Sequence, residues 1–594
     1  MSYQNRNEIP LEYKWKSEDI FATPQLWEED FEALVKEIPS LAQYKGTLSN
    51  KANVLKLFRA NDEFGKKVEK LYCYAYMGYV ENSKDSVAQT RYGKMAGTLA
   101  KINEVSAYIT PELSAMPNTQ LEEMAADKAF SDYDEELKRI IRAKAHVLSE
   151  SEEKLLAQAA DVTRFFQESF TRLDNGELDF GEVEVEGKPV KLSHGTYSML
   201  LQNKDQKVRK AAFERFYKSY IEKINTISAM YEGNVKNNVF TARARKFDSA
   251  AERSMFYENV DKKVYENLIE SINNSFEPLH DYIALRKKVL GVETLNMYDL
   301  YVPIFENADI SVPYEKAYEM VLEGLQPLGN DYIDLLKKAK AERWLDVYET
   351  PGKQSGAFSL GVYGVHPFVK LNYQQTTHDI FTLAHELGHS MHSYFSSNAQ
   401  PYAKNDYTIF VAEVASTVNE VLLLNYLLKK EKDGNVKKFL LSYYLDMLRT
   451  TMYRQAMFAE FEYLAHQRCE RGEPLSSQLL SDDYYALNKK YYGPALNHND
   501  QIRYEWARIP HFYRAFYVYK YSTGITSAVC IAQKILAEGK PMVEKYKKFL
   551  SLGGSTDPVS ELKVAGVDLT AKEPFEIVRK SFAETLAQLK ELCK

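Results

Sequence analysis

The five residues His385-Glu386-Leu387-Gly388-His389 set the tightest condition on how this chain folds. Two imidazoles four residues apart converge only on an α-helix, where positions i and i+4 share a face about 6 Å apart. At that spacing each ring can offer one nitrogen to a single tetrahedral Zn²⁺. Glu386, one residue further round, can reach a water at the metal without displacing either ring. Metal-assisted hydrolysis needs this arrangement: zinc lowers the pKa of water, and a carboxylate takes its proton. The flanks suit a helix. Thr376, Thr377 and Asp379 offer capping groups, and Ile380, Leu383, Ala384 and Leu387 form an apolar back. Gly388 costs about 1 kcal/mol of helix propensity relative to alanine. A glycine there lets another backbone or a substrate approach that face closely.

A catalytic zinc needs a third protein ligand and an open fourth position. The spacing HExxHxxGxxH would require glycine at position 392 and histidine at position 395, where the chain has His392 and Phe395. His392 therefore reads as a histidine that supports the metal ligands or the structure, not as a ligand. The alternatives are Glu413 and Glu420, two carboxylates in an otherwise apolar run, each of which needs a partner if buried. They are seven residues apart and share a helix face. Spacing favours Glu413 only modestly, and Glu420 suits either the orientation of a ligand histidine or a structural ion pair.

Most of the chain has helical rhythm, as in Leu26–Ile38, Lys51–Tyr79, Ser86–Ile109 and Glu123–Phe166, with Ser149 and Ser151 as cap residues. The rhythm breaks at Leu178–Leu192, where Val183 and Val185 alternate with glutamates before a Gly187-Lys188 turn, predicting a β-hairpin. It breaks again at Gly352–Tyr373, where glycines interleave with aromatic and β-branched residues. The expected fold is mainly α with a small β-sheet beside the zinc helix. The hairpin divides an N-terminal helical region, 1–195, from a catalytic region, 196–594.

Net charge is -7, so no basic face for nucleic acid or anionic lipid is expected. The apolar stretch Val411–Leu428 contains Glu413, Asn419, Glu420 and Asn425, and reads as a buried helix, not a membrane span. Cys73, Cys469, Cys530 and Cys593 lie far apart, which fits a reducing compartment. With a polar start that lacks a signal-peptide core, these features predict a cytoplasmic protein.

Several ordered segments resemble the oligoendopeptidase F family, in the thimet oligopeptidase-like group of zinc peptidases. They are Ser355-Gly-Ala-Phe, Pro367-Phe-Val-Lys-Leu-Asn-Tyr, Phe381-Thr-Leu-Ala-His-Glu-Leu-Gly-His-Ser-Met-His, Phe410-Val-Ala-Glu-Val-Ala-Ser-Thr, Arg508-Ile-Pro-His-Phe-Tyr and Phe516-Tyr-Val-Tyr-Lys-Tyr-Ser-Thr-Gly. The resemblance implies that Glu413 is the third zinc ligand, with one zinc per chain. It implies a helical ellipsoid divided by a deep substrate channel that admits short unstructured peptides and excludes folded proteins. It also implies that a histidine and tyrosines of the C-terminal segment steady the oxyanion. His511 corresponds to that histidine, Tyr519 is the first choice of tyrosine, and Tyr517 and Tyr513 are alternatives.

Tyrosine is abundant, 43 residues, and nine lie between Ser481 and Tyr521, where an even spread would put about three. A hydroxyl-bearing ring there can donate to an oxyanion. The strand region Gly356–Phe368 can pair with an extended peptide backbone. The expected activity is hydrolysis of internal bonds of short peptides, with Glu386 as general base toward a zinc-activated water. A helical zinc carboxypeptidase or dipeptidyl carboxypeptidase is the nearest alternative. The GxMEN signature of one aminopeptidase group is absent. A non-catalytic peptide-binding protein is the alternative of a different class.

Overall fold

The computed structural model describes residues 3–305 and 311–594, apart from the side chains of Glu150 and Asp161. Helices dominate, and the strands form one two-stranded and one three-stranded sheet. The chain makes two compact units. The first comprises Met1–Ala145, Asp309–Leu427 and Ile531–Val567; the second comprises His146–Ala308, Leu428–Cys530 and Asp568–Lys594. The boundary expected between residues 195 and 196 falls inside the second unit.

In the first unit the long helix Lys51–Glu81 starts at Asn50, whose side chain accepts from the Ala52 N–H. Its later turns bury Cys73, Met77 and Val80 against Trp15 and against Val362 and Phe368 of the sheet region. That sheet comprises β3 (Leu345–Asp346), β4 (Phe358–Leu360) and β5 (Phe368–Lys370), in the order β3-β5-β4. β5 is central and buried, parallel to β3 and antiparallel to β4. β4 is a half-buried edge strand, and the helix carrying the His385–His389 motif packs on both β4 and β5. The small sheet thus lies where the sequence predicts it, because glycine-punctuated apolar runs on either side of a turn pair antiparallel.

In the second unit β1 (Glu182–Val185) and β2 (Lys188–Lys191) form the expected hairpin. Its turn is Glu186-Gly187, with φ of 51° and 74°, not Gly187-Lys188. Two successive positive φ values match the twist of the flanking strands. The predicted single helical stretch Glu123–Phe166 is divided. Helices Asn118–Ala126 and Asp134–Ala143 flank a 3₁₀ turn that Asp127 caps, and Glu150–Arg172 begins anew. Ser149 closes a capping box with Glu152 at that third start. Local capping chemistry thus interrupts a run whose apolar spacing alone reads as continuous. The helix Ile409–Lys430 is long and apolar enough to cross a membrane, yet 61% of its apolar window is buried inside the protein.

A buried ionic network ties the start of the chain to the sheet. Asp346 of β3 is fully buried and pairs with Lys353 at 2.7 Å and with Arg6 at 2.5 and 3.0 Å. Arg6 also reaches Glu81 at 2.8 Å. Burial alone would raise the Asp346 carboxyl, but Lys353 and Arg6 outweigh it and hold it below the usual aspartate range. A depressed carboxylate contributes stability above its unfolded pKa of about 3.9 and loses it as pH falls. Asp346→Ala leaves Lys353 buried without its counter-charge. We expect this variant to lose about 3–5 kcal/mol in urea unfolding at pH 7, and the deficit to shrink as both proteins are acidified toward pH 3.

Candidate active site

The motif helix, Thr377–Ala399, begins at Thr376. The Thr376 hydroxyl accepts from the Asp379 N–H while the Asp379 carboxylate accepts from the Thr376 N–H, a reciprocal capping box. Nine residues after Thr376, His385 and, four further on, His389 project from one face with their Nε2 atoms 3.2 Å apart. Glu413, from the helix Ile409–Lys430, brings Oε2 within 3.4 Å of His385 Nε2 and 3.6 Å of His389 Nε2. These three side chains, all half-buried, form the one group among the described residues whose donor atoms converge as a metal site requires.

The second carboxylate of that helix does different work. Glu420 Oε1 accepts from His385 Nδ1 at 2.9 Å, which leaves Nε2 of that ring to face Glu413 and His389. The backbone of Ala412 holds His389. Glu413 and Glu420 do share a helix face, one turning toward the Nε2 side of His385 and the other toward its Nδ1 side. Without a metal the group is electrostatically divided. Burial would lower His385, but the hydrogen bonds it donates to Glu413 and Glu420 push it up to about 10. Burial and the neighbouring His385 push His389 down to about 4.

Glu386 is 6% exposed, and its Oε2 is buried without a hydrogen-bond partner among the described residues. Burial, then repulsion from Glu413 and Glu420, pushes its carboxyl up to about 7. A carboxylate poised near neutrality can both accept and return a proton.

Gly388 explains how two helices come close enough. A Cβ there would stand 2.5 Å from Ser416 Cα and 2.7 Å from the Ala415 carbonyl oxygen. The close approach is thus by the backbone of the Glu413 helix. Asn419 fastens the crossing, donating to the Ala384 carbonyl at 3.0 Å and accepting from the Tyr332 hydroxyl at 3.1 Å. His392 is buried, stacks on Tyr407 with ring centroids 3.6 Å apart, and takes no part in the metal group.

Two residues that sequence reasoning missed fix the edge strand. The Lys370 ammonium donates to the carbonyls of Gln354, Ser355 and Gly356 at 2.6, 3.1 and 3.0 Å. Asn372 donates to Gln354 and Gly356 at 2.8 and 2.9 Å. Both clamp the turn that leads into β4. A lysine inside the apolar run Phe368–Leu371 was the available signal.

The C-terminal candidates lie in the second unit. His511 is exposed and Tyr517 and Tyr521 are half-buried, with the Tyr521 hydroxyl 3.4 Å from His511 Nε2 and the Tyr517 ring stacked 6.0 Å from the imidazole. Partial burial of the ring, then Arg514 and Arg454, lowers the His511 pKa. Tyr519 is fully buried, with its ring against that of Tyr265. Tyr513 is buried on Phe170. Tyr521 is the tyrosine that the sequence reading did not select. Between His511 and Tyr517, Phe516 has a φ of 54° and donates its N–H to the buried Glu462 carboxyl at 2.8 Å. Strain of this kind persists only where surroundings impose it.

Known proteins resemble this chain over its whole length. The profile described as Peptidase family M3 matches residues 199–580, and that described as Oligopeptidase F matches 112–180. Oligopeptidase PepF of Bacillus subtilis is 40% identical over 99% of this chain and 88% of its own. A crystal structure of a Chlamydophila abortus protein superposes with a TM-score of 0.94 at 31% identity, covering 99% of this chain and 100% of that one. Oligoendopeptidase-F from Enterococcus faecium superposes with a TM-score of 0.75 at 34% identity, covering 96% and 99%.

Glu420→Gln should weaken divalent-metal binding by about 10- to 100-fold, measured by zinc titration against a competing chelator, because the carboxylate that orients His385 is lost. Gly388→Ala should depress both metal affinity and melting temperature, since its methyl group meets rigid backbone on the Glu413 helix.

Proposed function

Because the chain belongs to peptidase family M3, we propose that it is a zinc-dependent oligoendopeptidase that hydrolyses internal bonds of short unstructured peptides. The triangle of His385 Nε2, His389 Nε2 and Glu413 Oε2, with edges of 3.2, 3.4 and 3.6 Å, is the observation that carries this reading. A tetrahedral zinc with bonds of about 2.0–2.1 Å has ligand atoms about 3.3–3.4 Å apart, so the residues present fit the ion. Two imidazoles and one carboxylate, with a fourth position left over, is also a donor set suited to catalytic zinc. When bound, the ion would polarise the scissile carbonyl and acidify the attacking water.

The chain's own residues supply the rest. Glu386 takes the proton of the attacking water and returns it to the leaving amine, for which its orphaned, burial-shifted carboxyl is suited. The free edge of β4 offers backbone groups to an extended peptide, a mode that reads main chain and tolerates varied side chains. Lys370 and Asn372 hold that edge. His511, with Tyr517 and Tyr521 in preference to Tyr519, supplies donors to the oxyanion; their mutual contacts and accessible surfaces support this choice. A cytoplasmic location and a division into modules 1–195 and 196–594 belong to the same proposal. The two profiles leave the β1–β2 hairpin between them, which supports that division.

Glu386→Gln should retain bound zinc while lowering cleavage of an internally quenched peptide by about 100- to 10,000-fold. Substantial residual activity with full metal content would sink the assignment. Mass spectrometry of products from one long peptide should show internal cuts, and a product series confined to terminal residues would favour the carboxypeptidase reading. Chelation should abolish cleavage and added zinc restore it. Folded proteins should survive where peptides of the same local sequence are cut.

A further inference from the structure

In the second unit the helices Glu150–Arg172 and Ile224–Ala244 pack together and leave a cavity of about 310 Å³ between them. We propose that this cavity binds a small carboxylate with a short apolar tail, gripped by Arg253 and Asn237.

The charge inventory of the cavity is unbalanced. Two arginines and one glutamate line it. Arg245 is matched to Glu153, with both guanidinium nitrogens 2.8 Å from the two carboxylate oxygens. Arg253 has no such partner: its Nε is buried without a hydrogen bond, and no carboxylate pairs with it among the described residues. Burial lowers the Arg253 pKa, and Arg245 adds to this; the nearby Tyr257 offsets it only in part. Arg253 as a whole is half-buried, and its Nε, cut off from water and from any protein acceptor, would gain from an anion.

The remaining polar groups limit what that anion is. The Thr163 and Thr241 hydroxyls already donate to the carbonyls of Ala160 and Asn237, so they offer no further proton. The Asn237 side-chain amide makes no hydrogen bond among the described residues and lines the cavity. Two groups of donors are thus available, a planar guanidinium fork and one amide. A carboxylate presents two coplanar oxygens to such a fork and accepts bidentately. Leu156, Ala157, Ala160 and Phe240 form an apolar wall beside it, and Phe240 is 53% exposed at the rim. Such a wall rewards an aliphatic or aromatic tail and gives nothing to a compact, fully hydrated anion. The volume stands at the lower end of ligand pockets, which start at about 300 Å³, and so suits a molecule the size of an acylated amino acid. This inference is independent of the proposed peptidase activity, because its probe is not a substrate for peptide hydrolysis.

The test is calorimetric titration of the zinc-loaded full chain with N-acetyl-L-leucine, N-acetyl-L-leucinamide and inorganic phosphate. N-acetyl-L-leucine should bind saturably, and Arg253→Met should weaken it by about tenfold or more. Ala160→Phe, which fills the cavity and keeps Arg253, should weaken it similarly. The amide should bind the wild type no better than it binds Arg253→Met, and phosphate should bind more weakly than the acylated amino acid. Arg253→Met removes an unpaired charge while keeping the aliphatic stem, so its ligand-free melting temperature should equal or exceed that of the wild type. Absence of saturable binding, unchanged affinity in either variant, or equal binding of acid and amide would each overturn the proposal. So would tighter binding of phosphate, or a marked fall in the melting temperature of Arg253→Met, which would make Arg253 a structural residue.

Discussion

Three lone pairs aimed at one point repel each other unless a cation stands between them, and the first unit is arranged to impose that convergence. His385, His389 and Glu413 reach it from two helices whose backbones touch. The contact at Gly388 sets the separation, and Asn419 sets the register by bonding the Ala384 carbonyl of the opposite helix. The Thr376–Asp379 box fixes where the motif helix starts, and hence which residues face Glu413. Each of these devices is local and inexpensive. Together they hold two imidazoles and a carboxylate at one point, an arrangement that solvent would otherwise disperse.

Support for the edge strand follows a similar logic with different chemistry. β5 is buried, so its polar residues must find partners inside the protein. Lys370 finds three carbonyls, and in doing so immobilises the turn that presents β4. One layer further in, Asp346 joins β3 to Lys353 and Arg6. The exposed edge is therefore backed by ionic contacts, while the metal group is backed by close packing. Charged side chains serve here as ties for backbone carbonyls and for chain segments far apart in sequence.

The sequence carries the parts of this site that depend on short spacings. Histidines four apart, a threonine nine residues before the first of them, and a glycine between them all declare their roles in one helix. The choice between Glu413 and Glu420 was not legible in the same way, because seven residues return a side chain to the same face. The two differ only in which nitrogen of His385 each can reach, and that is set by how two helices cross. Tyr517 and Tyr519 fail to separate for a related reason. They stand at the start of a helix amid aromatic neighbours, and only the packing of Tyr265 decides which ring is enclosed. The composition of the two units was hidden as well, since each gathers three segments through contacts between residues hundreds of positions apart.

Tyrosine abundance acquires a physical explanation on the same grounds. Tyr265, Tyr318, Tyr373 and Tyr453 are buried, and each hydroxyl donates to a backbone carbonyl, respectively of Ala459, Leu336, Val312 and Ser275. Tyr484 and Tyr491 direct theirs to the carboxylates of Glu505 and Glu460. In a molecule of closely packed helices, such a ring fills space as phenylalanine does while its hydroxyl satisfies an acceptor on a neighbouring element. The excess between Ser481 and Tyr521 is therefore largely structural. What marks His511, Tyr517 and Tyr521 is that they retain accessible surface within that aromatic region, beside a backbone held at positive φ by Glu462. Burial separates the tyrosines that build the packed helices from those available to a ligand, and composition does not.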